Sequence, residues 1–177
     1  MRRIGALLFV CLGLGLPALA QPAIEDHIDG PAAPTAPQVV TRDAGGRATV
    51  RTSRLPSPLS LDGRLDEPFY AATLAVGDFI QQEPFEGQPA TEKTEVWVFF
   101  DDEYVYVSAR MHETDSRRRV TSDMRRDSSN LFNNDHFAVL FDTFYDRRNG
   151  YFFYANQMGG MVDSQLTNEM PNNNWNG

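Results

Sequence analysis

Asp142, Asp146 and Asn149 stand within one eight-residue stretch, DTFYDRRN. Closely spaced oxygen side chains in a loop are what a hard cation such as Ca²⁺ needs, so these three are the candidate ligands of a structural calcium ion. Asp101, Asp102 and Glu103 form a second acidic group. Neither group follows the EF-hand calcium-loop pattern. Both also read as turn chemistry, in which short carboxylates accept backbone N–H groups.

The second set of interest is aromatic and amide. Phe132, Tyr154 and Trp175 lie near Asn130, Asn133, Asn134, Asn156 and residues 172–174, which are all asparagine. Aromatic faces stack on the apolar C–H faces of sugars while amides bond their hydroxyls, and both suit a concave, sparsely polar site. The competing reading makes Tyr154 a core residue and the asparagines turn fillers. For enzyme chemistry there is little. His112 and His136 are isolated, and His27 falls in a low-complexity leader. No nucleophile elbow, zinc-ligand spacing or phosphate loop is present. Carboxylates are plentiful, but nothing in their spacing selects an acid/base pair. This segment is therefore not expected to be an enzyme itself. Arg117, Arg118, Arg119, Arg125 and Arg126 form a basic cluster in a chain of net charge −8. An acidic chain lacks the electrostatic footprint of a nucleic-acid binder, and the cluster reads as a solvated loop face.

Around these residues the chain divides into three parts. Residues 1–20 carry Arg2 and Arg3, then an uncharged apolar run, then Ala18-Leu19-Ala20. That is the form of a cleaved secretory signal peptide, which places the protein in the periplasm, the outer membrane or outside the cell. Cys11, the only cysteine, lies inside the apolar run, so no disulfide is expected in the exported chain. Residues 21–48 are rich in Pro and Ala and read as a disordered leader. Residues 49–177 form one domain.

Within that domain the periodicity predicts strands at 49–54, 59–61, 94–100, 104–111, 135–141 and 151–156, with another from 161 to 167. Residues 65–73 read as a short helix, with Asp66 as cap, Pro68 in the first turn, and Phe69 and Tyr70 inward. Residues 94–100, TEVWVFF, carry apolar side chains on both faces, as a strand buried on both sides does. Asn149-Gly150 reads as a hairpin turn. The fold class expected is all-β, an antiparallel β-sandwich of jelly-roll or immunoglobulin-like type. Residues 171–177, PNNNWNG, read as loop, so the sandwich is expected to be incomplete at its C-terminus.

The segments LDGRLDEPFY, TEVWVFFDDEYVYVSARM, NDHFAVLFDTFYDRRNGYFFYAN and NNNWNG, in that order, resemble the family 9 carbohydrate-binding modules. They are more closely similar to relatives of those modules at the N-terminus of bacterial outer-membrane proteins of uncharacterised function, where the module precedes a large β-barrel. The resemblance covers residues 59–177. It implies a β-sandwich that stacks a sugar between aromatics and often holds structural Ca²⁺. By position, Phe132 stands where those modules have a stacking tryptophan before the strand-opening Asp135, and Asn156 matches an asparagine of the following strand. Ala138 stands in place of an acid and Tyr154 in place of an arginine, which removes charge-assisted contacts to hydroxyls. The family's second stacking tryptophan comes late, beyond Gly177.

The expected function is carbohydrate binding by a non-catalytic module of an exported protein, linked to polysaccharide catabolism. Any glycosidase activity on O-glycosyl bonds would reside in a partner domain. The partner is an oligo- or polysaccharide, with a C-terminal outer-membrane barrel as a candidate companion and no nucleic acid. The alternative is a periplasmic interaction or plug-like domain of a barrel protein, without sugar affinity.

Overall fold

The structure is a computed structural model that describes residues 29–175. The expected signal peptide and the first residues of the leader lie outside the described residues.

The chain is all-β in class and sandwich-like, with no closed barrel. Its organising element is β4 (Thr94–Phe100), the middle strand of a three-stranded sheet. It pairs antiparallel with β5 (Val105–Met111) and parallel with β3 (Ser53–Arg54). Both faces of β4 are apolar, and each builds a core, as the alternation predicted. On one face Trp97 and Phe99 pack against Phe69 and Tyr70 of the helix α1 (Pro68–Ala72). The rings meet edge to face, Phe69 to Phe99 at 5.2 Å and Tyr70 to Trp97 at 5.3 Å, the arrangement that aromatic quadrupoles favour. The polar tips are satisfied too. The Trp97 Nε1–H donates to the Thr73 carbonyl at 3.0 Å, and the Tyr70 hydroxyl meets Ser108 Oγ at 2.8 Å. On the other face Val96 packs with Val39 and Val76, and half-buried Val98, Val107, Ala109 and Phe137 close around them.

Phe137 belongs to β6 (His136–Phe141), which opens the second sheet. That sheet runs β6, β7 (Gly150–Asn156), β8 (Met161–Thr167) and β9 (Met170–Asn172), antiparallel throughout. One of its faces thus meets the first sheet through Phe137. The opposite face carries Tyr154, Phe152 and Val162, which a 3-10 turn at Ser129–Asn133 covers by inserting Leu131.

Several expectations need correction. The leader expected to be disordered through residue 48 is structured in its latter part. There β1 (Val40–Arg42) pairs with β2 (Ala48–Val50), and Val39 is buried. The turn between them is held by Asp43, whose Oδ1 accepts the N–H groups of Gly45 and Arg47, with Gly46 at φ +80. The strand expected at 49–54 is consequently split between two sheets. Residues 59–61 form no strand; the Ser60 N–H donates to Glu67 Oε1 instead. The N-cap of α1 is Glu67 rather than Asp66, with no side-chain cap bond, and Pro68 supplies the preset φ at the first helical position. Gly150 is not a turn residue. It is the first residue of β7, and a Cβ there would collide with the Phe141 carbonyl. Pro171 sits in β9, reached by a two-residue hairpin in which Asn168 and Glu169 both have positive φ.

Candidate functional site

Phe132 is where exposure and rigidity coincide. It lies in the 3-10 turn Ser129–Asn133, which is built from the inside outward. Ser128 caps the turn by accepting the Asn130 N–H, and its own hydroxyl donates to Asp123 Oδ2 at 2.6 Å. Leu131, fully buried, fixes the turn to the sheet. That leaves Phe132 pointing outward at 49 % exposure, with its ring edge-on to Tyr154 at 5.3 Å.

Tyr154 and Asn156, expected beside Phe132, are there but do not face solvent. Tyr154 is 2 % exposed and donates its hydroxyl to the Leu131 carbonyl, which is the core role weighed against a binding role. Asn156 is 6 % exposed and fully engaged. Its Oδ1 accepts the N–H groups of Met158 and Gly160 at 3.0 and 2.8 Å, and its Nδ2 donates to the Asp123 carbonyl at 2.8 Å. Tyr154 bonds the Phe132 turn directly, and Asn156 fixes the Asp123 backbone whose side chain holds the turn's cap, Ser128.

The structure adds His136. In the β6–β7 register His136 opposes Asn156, and its ring stacks on Tyr154 at 4.3 Å with 24° between planes. His136 Nδ1 lies 2.8 Å from the Asn134 carbonyl, so Nδ1 carries a proton and Nε2 faces other partners. The side chains of Asn130 and Asn133 are exposed on the same turn. Asn134, in contrast, is buried, donating from Nδ2 to the Asn130 carbonyl and accepting from the Ser122 N–H. The surface offered is one apolar ring, one imidazole edge and two amides. Only strand register reveals His136 as a neighbour, which is why it reads as isolated in the chain.

Trp175 lies elsewhere. It contacts Tyr151 at 5.0 Å and Phe153 at 6.2 Å, residues that alternate with Tyr154 along β7 and so face the other side of the sheet. The four aromatic and amide candidates therefore form no single site.

The Asp142 loop closes on itself. Asp142 accepts the Asp146 N–H on Oδ1 and the Arg147 N–H on Oδ2. Asp146 Oδ1 accepts the N–H groups of Arg148 and Asn149, and its Oδ2 accepts from Asn149 Nδ2. These bonds hold the Asp146 carboxyl below the ordinary carboxylate range, the Asn149 side chain contributing most. An open cavity of about 400 Å³ beside the loop is lined by Asp29, Asp142, Tyr145, Asp146 and Arg147, and the Arg147 guanidinium pairs with Asp29 across it. Among the described residues no group of three or more His, Cys, Asp or Glu is arranged to hold a metal ion. The Asp142 and Asp146 oxygens face donors of their own loop, and Asn149 Oδ1 accepts the Asn168 N–H of the β8–β9 turn.

Most of the other charged groups singled out in the sequence have partners. Asp101 caps the β4–β5 turn by accepting from Glu103 and Tyr104 N–H, and Asp102 pairs with Arg54 at 2.8 Å. In the arginine cluster Arg117 pairs with Asp115, Arg119 with Glu113, Arg125 with Asp123 and Arg126 with Asp163.

No family model, no curated protein and no solved structure matches this chain.

Proposed function

We propose that this chain is a non-catalytic carbohydrate-binding module of an exported protein, and that it receives neutral oligosaccharide on Phe132. The observation that carries the reading is the half-exposed Phe132 ring, braced by Tyr154 and by the buried Leu131 beneath its turn. A rigid aromatic face loses little entropy on stacking, and His136 Nε2 with the amides of Asn130 and Asn133 supplies hydrogen-bonding partners for hydroxyls. The resemblance to family 9 carbohydrate-binding modules supports the same ligand class. It also supports a parent protein that is either polysaccharide-degrading or an outer-membrane barrel.

Affinity should be weak. The Asp135 carboxylate near Tyr154 is taken up by the Val120 N–H, so hydroxyls bonded by the amides gain about 0.5–1.5 kcal/mol net each. A few such bonds plus one stacked ring correspond to a dissociation constant of roughly millimolar, about −4 kcal/mol. The test is calorimetry of the full chain against a panel of neutral oligosaccharides, repeated with Phe132→Ala. Because Phe132 is half-exposed, that variant should keep its fold and lose binding. If no oligosaccharide binds, or one binds equally well after the substitution, the chain is better read as an interaction domain of a barrel protein.

A further inference from the structure

The first sheet has an open edge. In the β4–β5 register the Asp101 N–H donates to the Tyr104 carbonyl and the His112 N–H donates to the Lys93 carbonyl. Antiparallel pairs alternate between bonded and non-bonded positions, so Tyr106, Ser108 and Arg110 also turn their backbone groups toward β4. Val105, Val107, Ala109 and Met111 turn theirs the other way, where the sheet order places no strand among the described residues.

Beside that edge runs a groove of about 530 Å³, with Leu59 and Leu61 along one side and residues 104–108 along the other. Its apolar walls reach solvent: Leu61 is 84 % exposed, and Tyr104 and Val105 are about as open as the Phe132 ring or more so. At the hairpin end stand Asp101, Asp102 and Glu103, with Arg54 paired to one of them. The mouth of the groove is therefore negative, on a chain of net charge −8.

We propose that this groove receives an extended segment of another polypeptide, which adds a strand to β5. An outward row of N–H and C=O groups accepts a β-strand and little else. The Leu59 and Leu61 wall selects apolar side chains at alternate positions, and the carboxylates at the mouth favour a basic residue at that end of the segment. The surface is separate from the Phe132 turn, so it stands or falls independently of glycan binding.

The experiment is amide hydrogen exchange, read by NMR on the full chain. The probe is a capped nine-residue peptide of alternating lysine and valine; the control peptide replaces lysine with glutamate. In the free chain the amides of Tyr106, Ser108 and Arg110 exchange slowly, and those of Val105, Val107, Ala109 and Met111 exchange fast. With the lysine peptide the second set should slow by about tenfold or more while the first changes little, since local opening and pairing govern protection. Val105→Pro removes an outward N–H that makes no intrachain bond, a substitution an edge strand tolerates, and should weaken the peptide about tenfold, the scale of one hydrogen bond. Leu61→Ser should weaken it without altering the fold. Three results overturn the proposal: no alternating protection with the lysine peptide, equal binding of the glutamate peptide, or protection that rises with chain concentration in the absence of peptide. The last would make the occupant a second copy.

Discussion

Tyr106 and Asp101 show how a single bond reports on a turn. The Tyr106 hydroxyl donates to Asp101 Oδ2 at 2.7 Å, and this bond pushes the phenol up from 10.0 to about 12. The same bond, followed by the N–H groups of Glu103 and Tyr104, holds the Asp101 carboxyl below its ordinary 3.8. A phenol raised in the folded state contributes stability that is complete below pH 10.0 and is lost as pH rises through about 12. A lowered carboxyl contributes stability present above 3.8 and lost as pH falls through its folded value. Spectrophotometric titration should find one phenol ionising near pH 12 that Tyr106→Phe removes, and the variant's Asp101 should titrate closer to 3.8 by NMR. Tyr154→Phe tests the support beneath Phe132. It removes the donor to the buried Leu131 carbonyl and should cost about 1–3 kcal/mol in denaturant unfolding. At this scale the sequence was legible only in part. Aromatic and amide residues declare a binding chemistry, but burial decides which of them can use it, and burial of Tyr154 and Asn156 follows from register rather than from residue type.

Among the elements, the β4–β5 hairpin was fully readable, because seven residues of alternation on each strand leave one register that buries the right faces. The three-residue strand β1 was not, since so short an alternation carries almost no periodic signal, and β2 is legible only as the start of the strand expected at 49–54. Turn chemistry was readable in kind and misassigned in role. Gly150 reads as a turn glycine, but its use is close approach to the Phe141 carbonyl; the acids of residues 142–149 read both as cation ligands and as turn acceptors, and the N–H groups they accept are those of their own loop. If those acids serve only their own turn, melting curves of the folded chain should coincide with chelator and with millimolar Ca²⁺; a higher midpoint with calcium would show a bound ion. The β8–β9 turn offers a test of opposite sign. Glu169 sits at φ +68, a conformation costing a residue with a side chain roughly 1–2 kcal/mol. Glu169→Gly relieves that cost, partly offset by a freer unfolded chain, and should raise stability by about 0.5–1 kcal/mol.

For the molecule as a whole, the expectation of an all-β sandwich came from spacing and alternation and did not depend on any site. Its two packed sheets meet where β4 turns one face to α1 and the other to Phe137. Phe99→Ala, at a position 1 % exposed, should cost about 3–5 kcal/mol, and fluorescence of Trp97 and backbone circular dichroism should report one coincident transition. The buried Val39 adds a practical corollary. It belongs to the cluster that seals Val76 and Val96, although composition assigns it to a dispensable tail. A fragment trimmed at Thr49 would lose half of the β1–β2 hairpin and uncover Val76 and Val96. Such a fragment should be not merely shorter but adhesive, and light scattering on warming would distinguish it from a chain cut ahead of Asp29.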